Sequence, residues 1–324
     1  MISLHSHSGQ FCRHAKGQLE EVVQEAIHKG FTVYGLSEHV PRYRVEDLYP
    51  EEADLTLEEL ERTFDAYVEE ASRLKQTYSN RIELLIGLET ECITQESLTH
   101  LQSLLKKHED TISYIVGSVH HVNGIPIDFD KETFDKALRS FPNVEGGLSQ
   151  LDQLFCAYFD AQFNLLRLCQ PEVIGHIDLC RLYLPQASFE EDEVWSRVTR
   201  NVECAISYGA LFEVNAAAFR KGWKTAYPAQ DVLELILSKG GRLTLSDDSH
   251  GPHAVGLHYK DAHQYLVKSG VSDLYFLSAE SEASNNCPSS PLQTERVERT
   301  GARRSTRVLK LERDWANHVF WQHV

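Results

Sequence analysis

The chain has 324 residues, 42% hydrophobic and 25% charged, enough to build one large α/β domain or two ordinary ones. Its net charge of −16 argues against free nucleic acid and anionic membrane surfaces as partners, since both call for a basic face. The residues after Met1 are too polar for a signal peptide and no apolar run approaches membrane-spanning length. The 7 cysteines lack the spacing of a disulfide framework, so reduced thiols and a cytoplasmic location are expected.

Short apolar runs alternate with longer amphipathic segments. The predicted strands are Ile2–His5, Thr32–Glu38, Ile82–Glu89, Ile112–His120, Val173–His176, Leu211–Asn215 and Gly241–Asp248. Helical patterns such as "QLEEVVQEAIHKG", "LEELERTFDAYVEEASRLKQTY" and "EEDEVWSRVTRNVECAISYG" fall between them, and Gly30 and Gly209 stand where a left-handed cap would stop a helix. Repeated strand–helix alternation predicts a parallel sheet, either closed into a barrel or doubly wound and open. Val45 to Leu57 reads as a long polar loop over one end. With no internal repeat and no central linker, a single domain over 1–278 is expected, followed by a flexible linker over 279–307, rich in Ser, Asn, Pro and Arg. The last segment, 308–324, is predicted as a short helix whose Trp315, Phe320 and Trp321 dock back.

Marking the strands reveals a pattern among the histidines. His5 and His7 close the first strand, His39 the second, Glu89 the third, His120 the fourth and His176 the fifth. Glu213 and Asn215 lie on the sixth, and Asp248 and His250 finish the seventh. In a parallel barrel these ends share the face on which active sites are built. Side chains at i and i+2 of a strand point the same way, so His5 and His7 can grip one ion, as can Asp248 and His250. Neutral imidazole and carboxylate suit Zn²⁺, Mn²⁺ or Fe²⁺, and the absence of thiolate clusters argues against a structural zinc. With His14 added, the donors are too many for one ion and suit two or three. His28, His100, His108, His258, His263, His318 and His323 read as structural or surface residues, while His121 and His253 could support the ligands from behind. Cys12 reads as a buried thiol.

The motifs "HSHSGQFCRHA", "LSEH", "GLE", "GSVHH", "GHIDL", "EVN" and "SDDSH" resemble the polymerase-and-histidinol-phosphatase (PHP) superfamily of metal-dependent phosphoesterases. The closer likeness is to its monofunctional histidinol-phosphatases, particularly the fungal ones, through "EHVPRYRVEDLYPEE". The resemblance runs from Met1 to about Leu277 and implies a distorted (β/α)7 TIM-like barrel carrying three metals. It implies that His5, His7, Glu89 and Asp248 hold the first ion. Glu89 would bridge to a second, completed by His120 and His176, with His14, His39 and His250 on the third. The family shows one Asp in its Asp-x-His; here Asp247 and Asp248 are adjacent. Spacing to His250 selects Asp248, with Asp247 the fallback.

Three ions carry about +6, and Glu89 and Asp248 leave roughly +4 in the mouth, enough to hold a phosphate dianion on an acidic protein. Water shared between metals can attack phosphorus as hydroxide near neutral pH, without a phosphoenzyme. Arg181 and Arg220, just past strand ends, are candidates for the outer phosphate oxygens. Glu213 is a candidate for the ammonium group of histidinol phosphate. The expected reaction is hydrolysis of L-histidinol phosphate to L-histidinol and phosphate, in histidine biosynthesis. Another small phosphate ester or nucleotide as substrate, or a non-catalytic metal-binding role, are the alternatives. A related barrel, the amidohydrolases, adds a lysine on a middle strand; "IELLIGLE", "ISYIVGSVH" and "VIGH" contain none.

Overall fold

The computed structural model describes residues 1–279, 296–297, 305–311 and 314–324. Seven strands, Ile2–Ser3, Val33–Leu36, Glu83–Glu89, Tyr114–Gly117, Val173–Ile174, Leu211–Asn215 and Arg242–Ser246, lie side by side in chain order and pair in parallel throughout. Their near-continuous apolar character fits a sheet covered on both faces. The first and last strands also meet. Leu4 N donates to Leu245 O at 3.2 Å, and the short extension Ser6–His7 pairs in parallel with Ser249–His250. The ring is therefore nearly closed, and the open doubly wound alternative falls away.

One aromatic side chain shows how the barrel interior is filled. The Tyr114 hydroxyl donates to Leu4 O at 2.9 Å, crossing between strands. It passes over two glycines: a Cβ on Gly87 would stand 2.4 Å from Tyr114 Cε1, and one on Gly35 would stand 2.2 Å from its hydroxyl. Outside, the helix Leu57–Thr77 turns Phe64, Tyr67, Val68, Ala71 and Leu74 inward, and Thr56 with Glu59 forms a capping box at its start. Tyr67 pins that helix to the sheet by donating to Leu36 O and Gly87 O, both at 2.8 Å. Gly30 (φ 79°) and Gly209 (φ 85°) adopt the left-handed backbone expected of caps.

The C-terminal segment departs from expectation. Thr306–Lys310 is a strand rather than linker and helix, pairing antiparallel with Tyr275–Ala279 and with Arg296–Val297. Beyond it are two 3-10 turns, Trp315–Asn317 and Val319–Gln322. The alternation in "TRVLK" buries Thr306, Val308 and Leu309 while Arg307 and Lys310 stay partly accessible, a pattern masked by the basic composition around it. Most of the expected linker, 280–295 and 298–304, lies outside the described residues. This small sheet anchors at the amino ends of barrel strands: Ser278 Oγ and Ala279 N both donate to Glu83 Oε1, and Thr306 Oγ1 donates to Ser113 O. Trp315, Phe320 and Trp321 are buried, with Phe320 5.0 Å from Phe31 ring to ring. The tail thus packs at the end of the barrel opposite Glu89. Among the described residues, no helix is long and apolar enough to cross a membrane.

Candidate metal centre

The strands that carry Glu89 and Asn215 end where predicted, but the other five end earlier and leave their donors on the turns that follow. Gly117 ends the fourth strand three residues before His120, and Ile174 ends the fifth two before His176. Asp248 lies beyond Ser246 with φ of 45°, a left-handed backbone that turns its side chain into the mouth.

Glu89 occupies the middle. Its Oε2 lies 3.2 Å from His5 Nε2 and 3.3 Å from His7 Nε2, while its Oε1 lies 3.3 Å from His120 Nε2 and 3.0 Å from His176 Nε2. Oε1 thus faces His120 and His176, while Oε2 faces His5 and His7 and also lies 3.2 Å from His39 Nδ1. Asp248 Oδ1 completes the first group, 3.7 Å from His5 Nε2 and 3.6 Å from His7 Nε2. His120 and His176 face one another across 3.4 Å, Nε2 to Nε2. His39 stacks on His7 at 4.3 Å between centroids, and the His14 and His250 rings lie 5.1 Å apart. Donor atoms of His7, His39 and His250 also lie within 4.8 Å of one another. All nine sequence-predicted donors therefore meet in one mouth.

The donors converge without satisfying each other. His5 Nε2, both ring nitrogens of His7 and both of His39 are buried and have no partner in hydrogen-bond geometry. Leaving one such group unpaired costs about 1–3 kcal/mol, so a cluster of them is explicable if cations take the lone pairs. Imidazole and carboxylate are the donor set for divalent cations, and the residues present fit them.

Carboxylates and carbonyls behind the imidazoles orient them. Glu213 Oε2 lies 3.0 Å from His5 Nδ1, Glu51 Oε1 2.8 Å from His14 Nδ1, Glu91 Oε2 3.2 Å from His120 Nδ1, and the Asp248 carbonyl 3.0 Å from His250 Nδ1. A partner on one ring nitrogen leaves the other to face a metal, the usual support of a ligating histidine. Glu38 Oε2 stands 3.6 Å from His7 Nδ1, and its Oε1 accepts from Ser8 N and Ser8 Oγ. Burial opposes the charge on His7, but the nearby carboxylates of Glu38 and Glu89 raise it to about 9; burial and the neighbouring His7 push His39 down to about 3. Burial would raise Glu89, yet His5, His120 and His39 hold it well below the usual carboxylate range.

Asp247 and Asp248 separate cleanly. Asp247 accepts from Ser3 Oγ, the Tyr34 hydroxyl and Gly256 N in the barrel wall, and burial raises its pKa to about 6. Asp248 faces the donors.

Two expectations need correction. Arg181 does not line the cavity: it donates to Asp178 Oδ2 at 2.6 Å and to both Asp231 oxygens at 2.8 and 2.9 Å, and stacks over Phe189. Its guanidinium is consumed by these two acids. Glu213 cannot receive an ammonium group, because Oε2 faces His5 while Oε1 accepts from His176 N at 2.6 Å and Asn215 Nδ2 at 2.8 Å. Arg220 reaches the rim, donating to the Asp248 carbonyl at 3.2 Å, but its neighbour Lys221 lines the cavity. Sequence reasoning overlooked Glu91, though its place two residues after Glu89 was a signal. It also overlooked Arg42, which pairs with Glu91 at 3.0 Å and carried no signal. Above the donors lies a cavity of about 210 Å³, walled by Tyr49, Asp128, Phe129 and Tyr227 besides the histidines. Tyr49 comes from the predicted loop, which contains two short 3-10 turns.

The PHP domain family matches residues 3–217. The chain belongs to that family. Among PHP relatives, a Schizosaccharomyces pombe protein named "Probable histidinol-phosphatase" is 53% identical over 277 residues, 84% of this chain and 88% of the relative. The Saccharomyces cerevisiae protein named "Histidinol-phosphatase" is 33% identical over 301 residues, 82% of this chain and 88% of its own. A crystal structure of histidinol phosphate phosphatase from Lactococcus lactis, complexed with zinc, L-histidinol and phosphate, superposes with a TM-score of 0.59. At 20% identity, covering 86% of this chain and 96% of that one, it shows the shared PHP fold.

Proposed function

We propose that this PHP protein hydrolyses L-histidinol phosphate to L-histidinol and phosphate with two or three divalent ions, Zn²⁺, Mn²⁺ or Fe²⁺, as a step of histidine biosynthesis in the cytoplasm. The observation that carries the reading is the division of Glu89 between two groups of imidazoles, one on each carboxylate oxygen, beneath a cavity of small-molecule size. The 53% identical relative named for this activity supports the substrate, and the thiols of Cys12, Cys92, Cys156, Cys180 and Cys204, in no disulfide among the described residues, suit a reducing compartment.

In this reading His5, His7, Glu89 and Asp248 hold the first cation, Glu89, His120 and His176 the second, and His14, His39 and His250 the third. When bound, the cations supply Lewis acidity toward phosphate and lower the pKa of water. The chain's own residues do the rest. Glu213, Glu38, Glu91 and Glu51 fix the imidazole orientations, so little reorganisation accompanies reaction. Arg220 and Lys221, at the rim and on the wall, meet the outer phosphate oxygens. The Tyr227 hydroxyl, buried on the wall and without a hydrogen-bond partner, is kept protonated by burial and donates to the phosphoryl group. A cavity of about 210 Å³ leaves room for a small phosphate ester rather than a long polymer.

The test is phosphate release from L-histidinol phosphate and from a panel of phosphomonoesters, before and after chelation. Preference for histidinol phosphate, lost on chelation and restored by a divalent cation, is expected. Equal turnover of the whole panel overturns the substrate, and undiminished turnover by protein shown to be metal-free overturns the chemistry.

A further inference from the structure

Asp128 lies on the cavity wall between the strand Ile125–Pro126 and the helix Lys131–Arg139. A carboxylate just before a helix is ordinarily its cap. Here Asp130 has that role, accepting from Thr133 N at 2.7 Å. The Asp128 backbone carbonyl accepts from the Tyr183 hydroxyl, but its side-chain Oδ1 is buried and has no hydrogen-bond partner among the described residues. No lysine or arginine among them forms an ion pair with it either, although arginines pair closely with two other buried acids, Arg42 with Glu91 and Arg181 with Asp178.

The surroundings say what kind of group fits. Beside Asp128 the rings of Tyr49 and Phe129 lie 5.7 Å apart and nearly parallel, at 25°. The Arg42 guanidinium, 4.8 Å from the Tyr49 ring centre, adds support to that ring. Lys221 contributes a cation to the same cavity. A molecule with an anionic phosphate, an ammonium group and a flat ring would find a matching partner for each. The one other acid suggested by the sequence, Glu213, is fully engaged below the floor.

We propose that Asp128 is a specificity-determining residue that binds the primary ammonium of the substrate, with Tyr49 and Phe129 bordering its aromatic ring; the inference rests on histidinol phosphate being the substrate. The carboxylate then accepts a charge-assisted hydrogen bond that the free protein lacks. A phosphomonoester without the amine forgoes that contact while keeping its hold on the metals.

The experiment compares the metal-loaded full chain with Asp128→Asn and Asp128→Glu variants on L-histidinol phosphate and on the same molecule lacking the amine, 3-(imidazol-4-yl)propyl phosphate. For Asp128→Asn, kcat/KM on histidinol phosphate falls by about 10- to 100-fold, mainly through KM. On the amine-free ester it changes by less than about twofold, and Asp128→Glu recovers part of the loss because it restores the charge. Metal content and the circular dichroism spectrum stay at parental values. Equal losses on both esters, or no loss on either, overturn the assignment of Asp128 while leaving the substrate reading standing. Failure of the parent to hydrolyse histidinol phosphate overturns both.

Discussion

Glu213 separates two ideas about how the centre works, and Glu213→Gln distinguishes them. The carboxylate contacts three groups at once: His5 Nδ1 at 3.0 Å, His176 N at 2.6 Å and Asn215 Nδ2 at 2.8 Å. An amide of the same shape cannot serve all three. With its NH2 toward His5, Nδ1 must accept, the ring proton moves to Nε2, and the atom facing Glu89 loses its lone pair. With its NH2 the other way, two buried donors meet a third, at about 1–3 kcal/mol for each group left unsatisfied. The first arrangement loosens His5, and the second displaces the side chain that holds it. Removal of such an outer partner lowers metal affinity or activity by about 10- to 100-fold, about 1.4–2.7 kcal/mol. Competition with a chromogenic chelator measures the affinity, and kcat/KM measured with saturating metal isolates what remains. Were Glu213 instead the receiver of the substrate ammonium, metal affinity would hold and KM alone would rise. A variant that binds metal within about twofold of the parent refutes the positioning role.

Other consequences follow from the packing. Gly87→Ala places a Cβ 2.4 Å from Tyr114 Cε1 and lowers stability to denaturant by about 1–3 kcal/mol; Tyr114→Leu in the same chain recovers part of it, and an unperturbed single variant refutes the crowding. Arg181→Met strands Asp178 in the core and lowers unfolding free energy by about 3–5 kcal/mol. Arg220→Ala instead raises KM for phosphomonoesters with little change in unfolding; reversal of the two phenotypes contradicts their placement. Burial raises Asp247 from 3.8 to about 6, so the folded chain keeps a proton that the unfolded chain has already released. The contribution of Asp247 to the stability of the chelated protein therefore falls as pH rises through that window, by about 3 kcal/mol in total, and is read as the difference between the parent and Asp247→Asn. Asp247→Asn removes that slope, as urea unfolding at both ends of the window will show.

The donors of the centre were legible because ligation demands particular side chains and a parallel barrel delivers strand ends to one place. "HSH" marks a pair on one strand face, and Glu89, His120 and His176 each follow an apolar run. The seven strands read well for the same reason: a strand buried on both faces is a short apolar run bounded by turns. What could not be read was the state of charged groups whose partners lie far along the chain. Arg181 follows a strand end as a phosphate-binding residue would, but Asp231, 50 residues on, claims it. Glu91 was within reach of the i+2 rule, whereas Arg42, its partner, belongs to a segment with no periodic signal. The strand Thr306–Lys310 was hidden because basic residues surround its short alternation and its two pairing partners, Tyr275–Ala279 and Arg296–Val297, are met only in the folded chain.

By itself the sequence determined a parallel α/β architecture, closed or open, and a row of imidazoles and carboxylates at strand ends, since these depend on side-chain type and local periodicity; the barrel and the grouping of donors came from the motifs' resemblance to a family. Tertiary structure alone decided that the sheet closes on itself, that Glu213 lies against His5, and that Asp128 stands unpaired on the cavity wall among the described residues; it agrees with the spacing in turning Asp248 toward the donors. Those are matters of ångström-scale distance and of which hydrogen bonds are already taken, and both are set only when distant segments pack together.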